Sequence, residues 1–423
     1  MSITQTPMSR ANRLALLALC AVGLQPCLAD DAGFEGGWPV QRVFPGDSVS
    51  GDLFGFQTAV SGPVALVTAP NLSAGASPPP GALYAFARDT DGLWKQAQKL
   101  TVGEAADAFG FSLSMTTKTS ALVGAPFAAA RGSAEAGVVR VCLSDRAGTW
   151  SLGQKLESPA APNATFFGIA LASSGSRALI LGERANTWEL YAFERSAGGT
   201  WQYKQTIATP EGYVWDGTAL TTSIAMSGNT ALLLFPGATV GKVEDQGEVF
   251  VYTYSGGQWA LAEKLLGENA GSMAFGLQAA VVDDDNVLVS APGQLPTGVV
   301  YEFRRIAGHW TQMEEFSVPS TNLFDVFSFG LAATHGPLGL QGMPSFVGSD
   351  PVDFDPAINI GAAHVFTYNG STWVPIAKLK WSFTSQTVIG TGAAIDDETV
   401  MVAGTPQVFY GSGPGVVDFY SRP

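Results

Sequence analysis

Two spaced series of residues run through this chain out of step with each other. In the first, a Trp is followed six residues later by a large apolar residue. The pairs are Trp38 with Phe44, Trp94 with Leu100, Trp150 with Leu156, Trp201 with Ile207, Trp259 with Leu265, Trp310 with Phe316 and Trp373 with Leu379. In the second series Phe-Gly opens an apolar run, at Phe54-Gly55, Phe109-Gly110, Phe167-Gly168, Phe275-Gly276 and Phe329-Gly330. Weaker copies stand at Leu220-Thr221 and Ile389-Gly390. Both series have seven members. The first Trp precedes every Phe-Gly unit, and no Trp strand follows the last. An open stack of repeats has no reason to divide one repeat between its two ends. A closed ring does, because the N-terminal strand then completes the last sheet and leaves no free edge at the seam.

The unit itself is clearest between Asp107 and Leu156. Four short apolar runs, rich in Val, Leu or Phe, are split there by Thr-Lys-Thr-Ser, by a Gly/Ala/Ser loop and by Asp-Arg-Ala-Gly. That pattern predicts a four-stranded antiparallel meander. A proline closes the second strand at Pro70, Pro126, Pro236, Pro292, Pro344 and Pro406; the third copy reads Leu181-Gly182-Glu183 instead. Third strands are read from Gly81, Gly137, Trp188, Gly247, Gly298, Gly361 and Gly415. The expected fold is therefore all-β: a seven-bladed β-propeller of four-stranded antiparallel blades, closed by the N-terminal strand joining the last blade. Few charges (14%) and 50 glycines in 423 residues suit short strands and tight turns.

Residues 1–29 read as a signal peptide. Arg10 and Arg13 precede the apolar run LALLALCAVGL, and Cys27-Leu28-Ala29 offers a small-residue cleavage site. Residues 30–423 then form a single propeller, secreted or held in a bacterial periplasm or at the cell surface. The apolar run is too short to span a bilayer, and no later stretch is long enough. Cleavage removes two arginines and no acid, which moves the net charge from -14 to -16. Such a surface repels phosphate backbones, so nucleic acid is excluded as a partner. Cleavage also leaves Cys142 as the one cysteine, and stability must come from burial rather than disulfides.

Phe-Gly followed by Gly-Ala-Pro, as in Phe109-Gly110 with Gly124-Ala125-Pro126, resembles the FG-GAP repeat of the integrin α-subunit propeller and of its bacterial secreted relatives. The resemblance covers nearly all of the chain after the signal peptide. It implies a loop-rich ligand-binding face and, in many members, calcium held in an Asp-x-Asp-x-Asp-Gly-x-x-Asp loop between the first two strands. This chain lacks that loop in every unit. Its richest equivalents, Asp283-Asp284-Asp285-Asn286 and Asp396-Asp397-Glu398, read as turns, which Asp and Asn favour. No cofactor is expected. A weaker acidic cluster, Asp350, Asp353 and Asp355, has spacing that could wrap a metal. No Gly supplies the sharp turn, however, and Pro351 and Pro356 stiffen the path, so a solvated loop is the preferred reading.

Catalytic motifs are absent: there is no Gly-x-Ser-x-Gly elbow and no His-Glu-x-x-His. His364 falls at a third-strand position held by Tyr84, Tyr191, Phe250 and Tyr301 elsewhere, and reads as an aromatic packing residue. Cys142 stands at the position of Phe86 and Phe193 and reads as a buried, inert thiol. In a meander, the loops after strands two and four share one face, and here they are the long ones. That face carries aromatics outside the repeat register, of which Tyr213, Trp215, Trp381, Phe346 and Tyr410 are the candidate ligand-binding residues. The expectation is a non-enzymatic recognition or adhesion module for an extracellular or envelope protein or glycan. The alternative is a carbohydrate-active hydrolase or lyase with carboxylates at the central channel.

Overall fold

The computed structural model describes residues 37–47, 51–72, 80–102, 107–160, 163–210, 224–268, 274–294, 297–318, 327–328, 330–334, 343–350, 362–380, 389–404 and 415–422. Strand β1 (Val40–Val43) comes first. Blade 1 is β2 (Thr58–Ser61), β3 (Val64–Ala69), β4 (Ala82–Arg88) and β5 (Trp94–Thr101). Blade 2 is β6 (Ser112–Thr117), β7 (Ser120–Ala125), β8 (Val138–Ser144) and β9 (Trp150–Glu157). Blade 3 is β10 (Ala164–Ser174), β11 (Arg177–Arg184), β12 (Thr187–Arg195) and β13 (Trp201–Ala208). Blade 4 is β14 (Ile224–Ser227), β15 (Thr230–Phe235), β16 (Glu248–Ser255) and β17 (Gln258–Leu265). Blade 5 is β18 (Ala279–Asp283), β19 (Asn286–Ala291), β20 (Val299–Ile306) and β21 (His309–Phe316). Blade 6 is β22 (Gly330–Ala333), β23 (Ser345–Asp350), β24 (Ala362–Tyr368) and β25 (Trp373–Lys380). Blade 7 holds β26 (Ile389–Ile395), β27 (Thr399–Gly404) and β28 (Val416–Ser421).

Six sheets pair their strands in chain order. The seventh runs β1-β28-β27-β26, with Val40 opposite Tyr420 and Val43 opposite Val417. The ring closes as the offset of the two series requires. Among the described residues, seven apolar clusters pack between neighbouring blades, and the one between blades 3 and 4 extends to Phe56 of blade 1 and Phe111 of blade 2. The inner strands are consequently buried on both faces: β7 and β27 are buried at every position. Outer strands β5, β9 and β13 bury chiefly the Trp that opens them and the apolar residue six further on.

That spacing of six has a local cause. In blades 1 to 6 the outer strand slips register by one residue against the third strand, as between Ala85 and Phe86. Such a bulge inserts one residue and bends the strand. Strand β1 has no such slip. There Val43 takes the buried position of Leu100, while Phe44 is 49% exposed, so the partner of Trp38 is Val43 and not Phe44.

The Phe-Gly turn interlocks the blades. In blades 1, 3 and 5 the Phe is buried and meets the aromatic residue of its own third strand edge-on: Phe54 with Tyr84 at 5.2 Å, Phe167 with Tyr191 at 5.6 Å, Phe275 with Tyr301 at 5.7 Å. His364 fills the same position against Phe327 at 5.7 Å, as expected. Each Gly has a positive φ, between +84° and +101° in four blades. The backbone of the Phe lies against the Gly that precedes the third strand of the blade before it. A Cβ on Gly81, Gly137, Gly247, Gly298 or Gly415 would overlap the carbonyl oxygen of Phe109, Phe167, Phe275, Phe327 or Phe54 respectively.

This contact corrects the reading of blade 6. Gly298 meets Phe327, and Ser328 carries the positive φ (+73°), so Phe327-Ser328 is the turn, while Gly330 is the first residue of β22. Ser328 turns the close approach into a hydrogen bond, its hydroxyl donating to Val299 O at 2.8 Å. Pro344 correspondingly precedes β23 (Ser345–Asp350) rather than closing it. Blade 3 departs differently. There Ala185 and Asn186, at φ +50° and +65°, join β11 to β12 in a two-residue hairpin.

A belt of amides ties the outer strands together. The Gln98 side chain donates to Trp150 O at 2.7 Å and accepts from Trp150 N at 2.8 Å, as one peptide group would pair with another. Gln41 does the same for Trp94, Gln154 for Trp201 and Gln205 for Trp259. Glu263 keeps only the acceptor half, taking Trp310 N at 3.0 Å. Blade 6 has Ala377 at this position.

Candidate functional site

The same turns that join the blades also line the axis. Two residues after the turn glycine, Gln57 and Gln278 reach a cavity of about 110 Å³ on the ring axis, together with Thr58, Leu113, Gly330, Leu331, Gly392 and Ala393. These residues stand where first strands begin, which places the cavity at the long-loop end. A hydroxyl at the end of the second strand holds each in place. Thr68 Oγ1 accepts from Gln57 N at 3.0 Å, Ser290 Oγ from Gln278 N at 2.8 Å, and Ser349 Oγ from Gly330 N at 2.9 Å. Among the described residues lining the cavity no side chain is ionisable. The expected ring of carboxylates around the channel is therefore not what lines this wall.

An aromatic arc crosses the same face from blade 1 to blade 3. Phe56 meets Phe111 at 5.3 Å, Phe111 meets Phe127 at 6.0 Å, Phe127 meets Phe166 at 5.9 Å, and Phe166 stacks on Trp188 at 6.4 Å. Phe127 and Phe166 are half-buried and the other three are buried. Phe56 immediately precedes the cavity-lining Gln57, and Phe111 stands two residues before the cavity-lining Leu113, so the arc starts beside the cavity.

Of the residues singled out from sequence, Phe346 is displaced most clearly. It lies within β23, fully buried and stacked on Phe366 at 4.6 Å, with Trp373 edge-on at 5.1 Å. The misplaced Pro344 had put it in a loop; it is blade core and no surface ligand residue. Tyr213, Trp215, Trp381 and Tyr410 lie outside the described residues, as do Asp353, Asp355 and the signal segment 1–29. Asp350 is the last residue of β23, in register with Ala362. It follows Ser349, which holds the cavity-lining Gly330. Asp350 thus replaces the alanine that other blades carry as Ala69, Ala125 and Ala291.

The acidic turns act as staples between blades. Asp284 accepts from Asn229 N of blade 4 at 2.5 Å and from its Nδ2 at 2.9 Å, while Asp285 pairs within blade 5 with Arg305 at 2.6 Å. Asp396 accepts from Gly62 N across the joint between blades 7 and 1 at 2.8 Å. Burial nevertheless pushes the Asp396 carboxyl above its ordinary range. Cys142 is fully buried, and desolvation drives its thiol up to about 12, which removes it from thiolate chemistry at neutral pH.

No protein-family model and no curated protein matches the sequence. What the structure bears out of the resemblance to the FG-GAP repeat is the propeller fold. Solved structures similar in fold include the periplasmic gluconolactonase of Pseudomonas aeruginosa, at 12% identity and TM-score 0.48 over 77% of this chain and 85% of that one. The β-propeller domain of a trilobed protease from Pyrococcus furiosus is 10% identical, with a TM-score of 0.45 over 86% and 92%. Trypanosoma rangeli sialidase is 13% identical, with a TM-score of 0.43 over 79% and 56%. The likeness is one of fold: a seven-bladed, all-β propeller. The expectation of a non-enzymatic adhesion module is corrected. The structures named here are those of a gluconolactonase, a protease domain and a sialidase, and Phe346, buried in the core of blade 6, drops out of the proposed recognition surface. Among the described residues no helix is long and apolar enough to cross a membrane.

Proposed function

We propose that the protein is a hydrolase of the propeller type that acts on a small sugar-derived substrate at the long-loop mouth of the axial cavity. The observation that carries this reading is a convergence. The carboxamide residues Gln57 and Gln278 line the cavity, and the strand end bearing Asp350 adjoins the cavity-lining Gly330. Carboxamides both donate and accept, which suits vicinal hydroxyls. The half-buried rings of Phe127 and Phe166, backed by the buried Phe56 and Phe111, offer apolar ring surface of the kind on which a sugar's C–H face packs. The general base in this reading is assigned by strand position alone, to Asp350 at the end of β23: a carboxylate there would take a proton from the water that attacks a lactone or glycosidic carbon and return it to the leaving oxygen. The reading calls on no cofactor. Export on the signal read over residues 1–29 puts the enzyme in the periplasm or outside the cell.

The test is a panel of sugar lactones, followed by acid release, and of aryl glycosides, followed by phenolate release. Turnover of one class is expected, with Asp350→Asn lowering kcat by roughly 10²–10⁴ while the circular dichroism is unchanged. Gln278→Ala is expected to raise KM more than it lowers kcat. No turnover of any member, or turnover indifferent to Asp350, sinks the reading.

A further inference from the structure

Blade 2 differs from the other blades at the residue that meets the Phe-Gly ring. Blades 1, 3, 5 and 6 have Tyr84, Tyr191, Tyr301 and His364 there; blade 2 has Arg140, in register with Lys155 across β8 and β9. The equivalent pair in blade 1 is Tyr84 and Lys99. A carboxylate sits on that pair: Asp47 accepts from Lys99 Nζ at 2.6 Å and from the Tyr84 hydroxyl at 3.2 Å. In blade 7 the equivalent residues, Asp418 and Arg42, satisfy each other. Blade 2 places two cations at this one place.

Arg140 Nε is buried and has no hydrogen-bond partner among the described residues. A buried donor of that kind needs an acceptor. Lys155 reaches Glu157 at 2.9 Å, and Glu157 is shared with Arg131. Asp107 lines the same space, with one carboxylate oxygen accepting from Phe109 N. Between Arg140, Lys155, Asp107 and Val102 lies a cavity of about 10 Å³, the room of one water-sized group.

We propose that this joint between blades 1 and 2 is an oxyanion-binding site. One oxygen of a small carboxylate or phosphate enters the cavity and accepts from Arg140 Nε–H. It rests on Lys155 as the Asp47 carboxylate rests on Lys99. The internal repeat supplies the geometry, and the unpartnered Nε–H of Arg140 supplies the need for it. The site lies at the blade joint and is separate from the axial cavity, so it stands whether or not the protein is a hydrolase.

Sodium phosphate and sodium acetate, titrated separately at constant ionic strength into the full chain and followed by calorimetry, test this and distinguish the two kinds of oxyanion. Saturable binding of at least one is expected. Arg140→Met keeps the bulk and removes the donor; it is expected to raise the half-saturating concentration by about tenfold or more, the weight of one charge-assisted hydrogen bond. Lys155→Met, on a partly exposed strand, is expected to weaken binding in the same direction and guards against a folding defect in the first variant. Glu104 stands four residues after Leu100, as Asp47 stands four after Val43. Glu104→Gln therefore decides between sources. Binding to the wild type that Glu104→Gln leaves unchanged supports the proposal. Binding that appears only in Glu104→Gln means the chain's own carboxylate fills the place, and overturns it. Absence of binding in every variant also overturns it.

Discussion

At the scale of single residues, the joints rest on glycines whose missing Cβ makes room for a neighbouring backbone. Gly137 has φ +77°, and a Cβ there would overlap the Phe167 carbonyl. Gly62 also has a positive φ, +55°, but nothing lies within 4 Å of its Cβ position. Gly137→Ala therefore meets both backbone strain and a clash, and about 3 kcal/mol or more of stability should be lost. Gly62→Ala meets strain alone, at about 1–2 kcal/mol. Urea unfolding of the two variants measures the difference; equal losses would contradict the interlock. The same contact explains what could be read in advance. Phe-Gly was legible in four blades because both residues are dictated by one turn. Blade 6 was not, because Ser328 tolerates the left-handed conformation by hydrogen-bonding Val299, while Phe329-Gly330 two residues on imitates the motif. That slip carried Phe346 out of the core on paper and hid the strand-end position of Asp350.

At the scale of elements, the outer strands illustrate how a bulge writes itself into spacing. The Trp-to-apolar interval of six was readable, but its meaning, five plus one inserted residue, was not, so Phe44 was taken for Val43. A further signal went unread. Gln stands four residues after Trp94, Trp150 and Trp201, and three after Trp38 where the bulge is missing. This is the amide belt. Gln98→Ala removes two hydrogen bonds across one joint, a loss of about 1–3 kcal/mol. Gln98→Glu keeps the acceptor and not the donor, the state already present at Glu263, and should lose about half as much. Thermal or urea unfolding of both variants checks the order. A Gln98→Glu variant as unstable as Gln98→Ala would mean that the belt acts through something other than its hydrogen bonds.

At the scale of the whole molecule, the ring depends on one four-residue strand from the opposite end of the chain. β1 brings Arg42 onto Asp418 in a two-point contact at 2.8 and 2.6 Å, and the Asp418 side chain is 1% exposed. Desolvation raises the Asp418 carboxyl above its ordinary range, and Arg42 offsets this only in part. A carboxyl raised in the folded state binds its proton more tightly there than when unfolded. Its contribution to stability therefore grows as pH falls from the raised value toward 3.8, and its ionised form is a cost at neutral pH. Arg42→Met removes the offset and leaves a buried carboxylate alone. At pH 7 the variant should lose about 3–5 kcal/mol. As pH falls toward 4 the lone carboxyl takes up its proton and the deficit relative to wild type should shrink. Urea unfolding of wild type and variant at pH 7 and pH 4 reads both. A deficit that stays constant between the two would mean that the seam is held by strand pairing alone and that the Arg42 charge is incidental to closing the ring.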